Sequence, residues 1–301
     1  MENHLNELLQ DRVTNLVVLR QRPGHTVYRV FTTRSSYILK WFNNEHDALE
    51  LQVYALLSGC HVPTLPVYGQ TSRALLLEDL NASPLWRLAH ARDMESEPTA
   101  LALTDWYRSL QQAGRETLSD NNQALSFLKR EIDDLDPTSL LSTGKRLGLA
   151  HLPVWELAME SIDTLTSIYR SLPHTFNYND FAAENLALSP LDSNPLRAVV
   201  FDYDCFGLGL AYIDWRNVIY GLKGQAREAF AHAYGEISRS EKIIDEPLSL
   251  LYNLVVASTH QEFPDWAKLS MKSVINGDLE IQIRIALGDL PSTALFSDKV
   301  K

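Results

Sequence analysis

In Tyr178-Asn179-Asp180-Phe181-Ala182-Ala183-Glu184-Asn185 a carboxylate and a carboxamide stand five positions apart, and Phe201-Asp202-Tyr203-Asp204 follows with further carboxylates. Moving a phosphoryl group asks for these residue types. One group must orient or deprotonate an attacking hydroxyl, and oxygen ligands must hold magnesium against phosphate oxygens. Asp180 suits the first task. Asn185 and Asp202 suit the second, because magnesium takes few protein ligands and completes its octahedron with water and phosphate. Aspartate and asparagine at this spacing are also ordinary turn residues, so the pattern gains meaning only from the elements that hold it.

Those elements can be read from periodicity. Residues 185–188 and 197–202, separated by a turn over 190–195, read as a hairpin that returns Asp202 to the loop carrying Asp180. Before about residue 80 the alternation of apolar and polar residues predicts strands at 15–20, 26–32, 37–42, 65–69 and 74–78. One helix, 45–58, interrupts them, with Leu49, Val53, Leu56 and Leu57 on one face and Gly59 as its stop. Beyond Leu80 amphipathic helices are predicted at 84–91, 99–114, 124–135, 153–172, 227–237 and 245–263. The acidic segment 119–147 reads as a solvated helix face, with an insertion or flap as the alternative. The expected organisation is α+β: residues 1–80 form an antiparallel, nucleotide-binding lobe with one helix, and residues 81–301 form a mostly helical lobe with the catalytic loop and acceptor site.

This order of segments resembles the aminoglycoside phosphotransferase and choline kinase superfamily, relatives of the protein kinases with a bilobal kinase-like fold. Its catalytic loop commonly reads His-Gly-Asp-x4-Asn before a hairpin that ends in a metal-binding aspartate. The resemblance implies that Asp180 is the catalytic base or hydroxyl-orienting residue and that Asn185 and Asp202 bind magnesium. It also implies that Lys40, in Tyr37-Ile38-Leu39-Lys40-Trp41-Phe42, binds the phosphates. Glu50 on the following helix is then the ion-pair partner of Lys40; Glu45 is a second candidate, better placed to complement the helix dipole. The turn Arg22-Pro23-Gly24-His25-Thr26 would lie over the triphosphate, with Gly24 offering backbone amides. Leu77-Glu78-Asp79-Leu80 resembles the hinge, where the backbone of Glu78 and Leu80 would receive the base. Asp214, at the end of Gly207-Leu208-Gly209-Leu210-Ala211-Tyr212-Ile213-Asp214, looks like the family's structural aspartate. Two departures stand out: Tyr178-Asn179 replaces His-Gly, and the first turn holds a single glycine.

Composition narrows the setting. The 301 residues are 45% hydrophobic and 22% charged, ordinary for a globular chain long enough for two cored lobes. The first residues lack the basic start and apolar core of a secretory signal, and the longest apolar runs fall short of the ~20 residues that cross a bilayer. Two cysteines, Cys60 and Cys205, fit free thiols in a reducing compartment, so a soluble, cytoplasmic protein is expected. A net charge of -11 speaks against nucleic-acid or membrane partners and favours a cationic substrate. The expected reaction uses ATP, or GTP, with magnesium to phosphorylate a hydroxyl of a small, amine-bearing acceptor such as an aminoglycoside or amino alcohol. A sugar or other neutral metabolite is the alternative acceptor. The competing class is a non-catalytic nucleotide-binding scaffold, motivated by the two departures. Asp204 is expected to stabilise its loop, with metal proximity as the alternative, and Glu184 to be an exposed loop carboxylate or to face a cationic acceptor. His25, His174 and His260 read as ordinary polar residues, and no surface stripe predicts a dimer.

Overall fold

A computed structural model of the chain describes residues 5, 8–9, 11–44, 48–119 and 125–289. Val13–Arg22 (β1), His25–Thr32 (β2) and Ser36–Phe42 (β3) are followed by the helix Leu49–Gly59 (α1) and by Val67–Thr71 (β4) and Ala74–Glu78 (β5). They build one antiparallel sheet in the order β1-β2-β3-β5-β4. Gly24, with φ 94°, closes the β1–β2 turn in a conformation that glycine adopts at no steric cost, and its carbonyl accepts from the Asn43 amide at 2.7 Å. The helix predicted over 45–58 is present as α1, its expected start lying outside the described residues.

Register decides what each face carries. Lys40 stands opposite Val27 and Leu75, and Leu39 opposite Tyr28 and Leu76. Side chains alternate between faces along a strand, so Tyr28, Val30, Tyr37, Leu39, Trp41 and Leu76 gather on one face around Ala74. Val27, Arg29, Ile38, Lys40, Leu75 and Leu77 occupy the other. That second face meets α1, because Glu50 reaches Lys40 there. Every residue of β5 is buried, as expected of a strand covered on both faces.

The remaining elements are Arg87–Leu88 (β6), Glu97–Ser119 (α2), Pro137–Leu147 (α3), Pro153–Ser171 (α4), Thr175–Asn177 (β7), Leu186–Leu188 (β8), Ala198–Val200 (β9), Gly207–Gly209 (β10), Ala211–Gly221 (α5), Gly224–Tyr234 (α6), Arg239–Ser258 (α7), Lys268–Ile275 (α8) and Asp278–Ala286 (α9). β8 and β9 form the expected hairpin, pairing Leu186 with Val200 and Leu188 with Ala198. Three expectations need correction. No helix spans 84–91: the Ser83 hydroxyl accepts from the Leu85 and Trp86 amides, turning the chain so that Arg87 and Leu88 pair with β8. Of the helix predicted over 124–135, residue 124 lies outside the described residues, and 131–134 form only a 3-10 turn closed by Asp133 on the Arg130 amide. The helix begins later, where Asp136 caps the amides of Thr138 and Ser139 at 2.7 and 2.8 Å, and it ends at Gly148 with φ 71°. Finally, α5, α8 and α9 were not anticipated.

The chain divides into two compact units. The first draws on 1–127, 176–206 and 214–235 and so contains the sheet, α1, α2, the β8–β9 hairpin and α6. Within it α2 packs on α6, with Tyr107 edge-on to Phe230. The second draws on 128–175, 207–213 and 236–301, around a core that includes Trp155, Ile162, Leu165, Leu251 and Ile283. No helix among the described residues is long and apolar enough to cross a membrane. In the second unit the buried Trp155 indole donates to the Leu140 carbonyl at 3.0 Å and lies against Gly144, where a Cβ would run into the ring. Gly144→Ala is therefore expected to cost about 1–3 kcal/mol of stability through overpacking, seen as a lower denaturation midpoint.

Candidate active site

All the residues singled out above between Lys40 and Asp202 that bear on catalysis fall in the first unit. Lys40 follows the buried Leu39 on β3 and is itself buried. Its ammonium stands 2.5 Å from Glu50 Oε2 and donates to Asp202 Oδ1 at 2.6 Å and to Asp204 Oδ1 at 2.9 Å. Burial by itself would lower a lysine's pKa, but the three carboxylates outweigh it and hold Lys40 above its ordinary value. Burial pushes Glu50 up to about 7 against the pull of Lys40, and Asp204 and Asp202 add to the rise. The lysine thus keeps its proton, while burial works against the charge of Glu50. Glu45 lies outside the described residues; the partner that reaches Lys40 is Glu50.

The Asp180 loop is built on a second buried carboxylate. Asp214, fully buried in the first turn of α5, accepts from the amides of Tyr178 at 3.0 Å and Asn179 at 3.0 Å and from Asn177 Nδ2 at 3.3 Å. Asn179 has φ 67°, a left-handed conformation that asparagine tolerates better than most residues, and its Nδ2 donates to the Cys205 carbonyl at 3.0 Å. The Tyr178 hydroxyl donates to the Phe201 carbonyl at 2.6 Å, immediately before Asp202. Tyr178-Asn179 therefore meets both demands of its position, a tether to the hairpin and a positive φ. The carboxylate of Asp180 then accepts from Asn185 Nδ2 at 2.8 Å. With its amide nitrogen turned to Asp180, Asn185 presents its carbonyl oxygen on the opposite side. Burial, reinforced by the charge of Asp202, pushes Asp180 up to about 6, while the Asn185 hydrogen bond pulls the other way.

The structure therefore joins Lys40, Glu50 and Asp202 in one cluster and Asp180 with Asn185 in a second, coupled to it through Asp202. It also adds Asp204, expected mainly as a loop stabiliser. The chain leaves β9 at Val200 and turns, and Asp202, with φ 65°, is oriented so that it and Asp204 both reach Lys40. Oxygens of Glu50, Asp202 and Asp204 lie within 4.8 Å of one another, a donor set suited to a hard cation. His25, after Gly24, comes to 4.0 Å from Asp204 Oδ2; burial and Lys40 lower its pKa. Glu78 lies apart from these groups. It pairs with Tyr37, so its side chain belongs to the sheet face opposite Lys40, and its amide is taken by the Pro66 carbonyl at 3.1 Å. Leu80 follows half-buried in the turn after β5.

Asp214 makes a testable case. Burial raises its pKa to about 6, with the Asn179 and Tyr178 amides opposing. A folded-state pKa above the unfolded value adds stability that is fully present below the unfolded pKa, near 4, and is lost as the pH rises through about 6. Measured against the non-titrating Asp214→Asn, wild-type unfolding free energy is expected to grow as the pH falls from 7 to 4.5. Asp214→Ala, which strands two buried amides, is expected to cost about 1–3 kcal/mol at neutral pH. Denaturant titrations across this range check both.

Comparisons with known proteins agree with the site. The model of the phosphotransferase enzyme family matches residues 19–244. Similar solved structures include an ADP-bound aminoglycoside phosphotransferase, APH(2'')-Ib, at TM-score 0.62 and 15% identity over 95% of this chain and 98% of that one. Choline kinase LicA from Streptococcus pneumoniae gives TM-score 0.61 and 13% identity over 93% and 97%. The streptomycin–ATP–APH(2'')-IIa complex gives TM-score 0.61 and 14% identity over 95% and 97%. At such identities these likenesses establish the α+β fold and nothing finer. A search of the curated proteins finds no match. The family match spans most of the chain and includes Lys40, Glu50, Asp180, Asn185, Asp202 and Asp214, so this chain belongs to the phosphotransferase enzyme family.

Proposed function

We propose that the protein transfers the γ-phosphoryl group of ATP, or of GTP, to a hydroxyl of a small, amine-bearing acceptor in a magnesium-dependent reaction. The observation that carries this reading is the gathering of Glu50, Asp202 and Asp204 on a single ammonium, beside Asp180 and Asn185. Such a surplus of carboxylate oxygens asks for a divalent cation, and the charge of Asp202 adds to the rise that burial gives Asp180. Asn185, through its carbonyl oxygen, and Asp202 would hold magnesium. When bound, the ion neutralises charge on the phosphate oxygens.

Lys40, held in line by Glu50, orients the phosphates. Asp180 has one carboxylate oxygen engaged by Asn185, and its other oxygen serves the acceptor hydroxyl. As the acceptor oxygen bonds to the γ-phosphorus and the bond to the β-bridging oxygen breaks, the hydroxyl proton passes to Asp180. The nucleoside diphosphate departs with the electron pair. Residues 1–80, with Gly24, Lys40, Glu50, Glu78 and Leu80, serve as the nucleotide-binding part, and residues 81–301 supply the catalytic loop and the acceptor site.

Several lines support the finer assignments. Solved structures similar to this chain are complexes with ADP, AMP, ATP or GDP, and some hold streptomycin, gentamicin or kanamycin. The net charge of -11 favours an amine-bearing acceptor over a neutral one. Neither Cys60 nor Cys205 forms a disulfide, in keeping with a cytoplasmic setting.

Asp180→Asn is expected to lower the turnover rate by about 10²–10⁴-fold while nucleotide affinity stays within a few-fold. Asp202→Ala is expected to remove the magnesium-dependent part of that affinity. Calorimetry with and without magnesium, alongside transfer assays on aminoglycosides, amino alcohols and sugars, provides the readout. A wild-type protein that bound nucleotide and phosphorylated none of these would make it a scaffold.

A further inference from the structure

One cation on the nucleotide-facing side of the sheet is left out of the chemistry above. The β2–β3 register places Val27 opposite Lys40 and Arg29 opposite Ile38, so Arg29 and Lys40 project from the same face. Two residues along a strand span about 6.6 Å, which sets Arg29 one step from Lys40 in the direction of the chain segment that follows β5. There it meets Asp79. Arg29 Nε stands 2.8 Å from Asp79 Oδ2, and Nη2 donates to Oδ1 at 3.3 Å.

Asp79 is itself committed. Its side chain is 2% exposed, and it also accepts from the Ser36 hydroxyl at 2.7 Å and the Asn81 amide at 3.1 Å. Ser36, Ile38 and Lys40 alternate onto one face of β3, so the Arg29–Asp79–Ser36 group closes the end of the face that Lys40 opens. A carboxylate with three hydrogen bonds and an ion pair is an anchor and has little left to offer a ligand. The guanidinium is gripped along one edge, while its side chain keeps 24% exposure. Around it the same face is apolar, with Val17 directly opposite on β1 and Ile38 on β3.

We propose that Arg29, set in place by Asp79, is the base-recognition residue of the nucleotide site: its guanidinium plane covers the purine ring and stacks on it. This rests on the reading that a nucleoside triphosphate binds with its phosphates at Lys40. A molecule so placed and extending toward Leu80 brings its base level with Ile38 and Arg29. Planar guanidinium stacks well on aromatic rings, and a side chain already fixed by an ion pair loses little freedom in doing so. Stacking reads the flat face of the ring and not its edge, so it serves adenine and guanine alike.

The test compares ATP, GTP and inorganic tripolyphosphate, each with magnesium, by calorimetry on wild type, Arg29→Met and Arg29→Lys. Methionine keeps an apolar stem and lacks the charged plane; lysine keeps the charge and lacks the plane. Both variants are expected to bind ATP and GTP about 10-fold more weakly, in parallel, a size in keeping with a desolvated cation–π contact. Tripolyphosphate affinity is expected to stay within about twofold, which also shows that the site is folded. Wild-type-like ATP binding by Arg29→Met would overturn the inference, as would equal losses for tripolyphosphate, which would make Arg29 a brace for the sheet. Should Arg29→Met fail to fold, Arg29→Lys decides by the same two criteria. If the wild type bound neither nucleotide nor tripolyphosphate, the nucleotide reading itself would fall, and this inference with it.

Discussion

An ammonium group almost fully withdrawn from water must be compensated, and the compensation of Lys40 dictates much of what surrounds it. Leaving such a charge unpaired costs several kcal/mol. The sheet can hold Lys40 on its inner face only because α1 delivers Glu50 and the turn after β9 delivers Asp202 and Asp204. One interaction thereby ties a strand, a helix and a turn drawn from positions 40, 50 and 202–204. It also overshoots. Three carboxylates on one ammonium leave negative charge in excess, and burial then forces Glu50 and Asp180 above the usual carboxylate range. A cluster selected for stability alone would balance its charges. This one is poised to take up further positive charge, as sites that work on phosphates are.

The second constraint is the buried carboxylate of Asp214. By collecting the amides of Tyr178 and Asn179 it fixes a backbone that would otherwise relax, since Asn179 and Asp202 both sit at positive φ. Unfavourable local conformations persist only where the surroundings over-determine them. Here the over-determination comes from Asp214 beneath the loop, the Tyr178 hydroxyl on Phe201 and the Asn179 side chain on Cys205. Asp180 is thus held by a framework that does not itself take part in the chemistry.

Much of this could be read from the chain. Lys40 on an alternating strand, Glu50 on the next helix and an Asp-x4-Asn loop before a hairpin are local patterns, and each landed where its periodicity put it. Asp204 was hidden because its position depends on how the chain turns after Val200, which no period describes. The face taken by Glu78 was hidden because strand parity carries from Lys40 to β5 only once the register is known. Segment 84–91 has helical spacing, yet the Ser83 hydroxyl turns the chain and pairing with β8 makes a short strand of Arg87 and Leu88. Segment 119–147 reads as polar surface until the cap at Asp136 is recognised as a helix start. The replacement of His-Gly by Tyr-Asn looked like a loss at the level of letters. At the level of physical need, a positive φ and one hydrogen bond, nothing is missing.

Charge along the inner face of the sheet is ordered from one end to the other. At the Lys40 end there is an excess of carboxylate; at the other end Arg29 and Asp79 form a pair with no net charge; Val17, Val27, Ile38 and Leu77 supply an apolar stretch from β1, β2, β3 and β5. This ordering follows the polarity of a metal-bound nucleoside triphosphate from phosphate to base. Each part is fixed by bonds made within the protein, Lys40 by Glu50 and Arg29 by Asp79, so the geometry exists before anything binds. Preorganisation of that kind spends little binding energy on ordering side chains. Under the proposed function, what remains available is interaction at the γ-phosphate, which Asp180 would face.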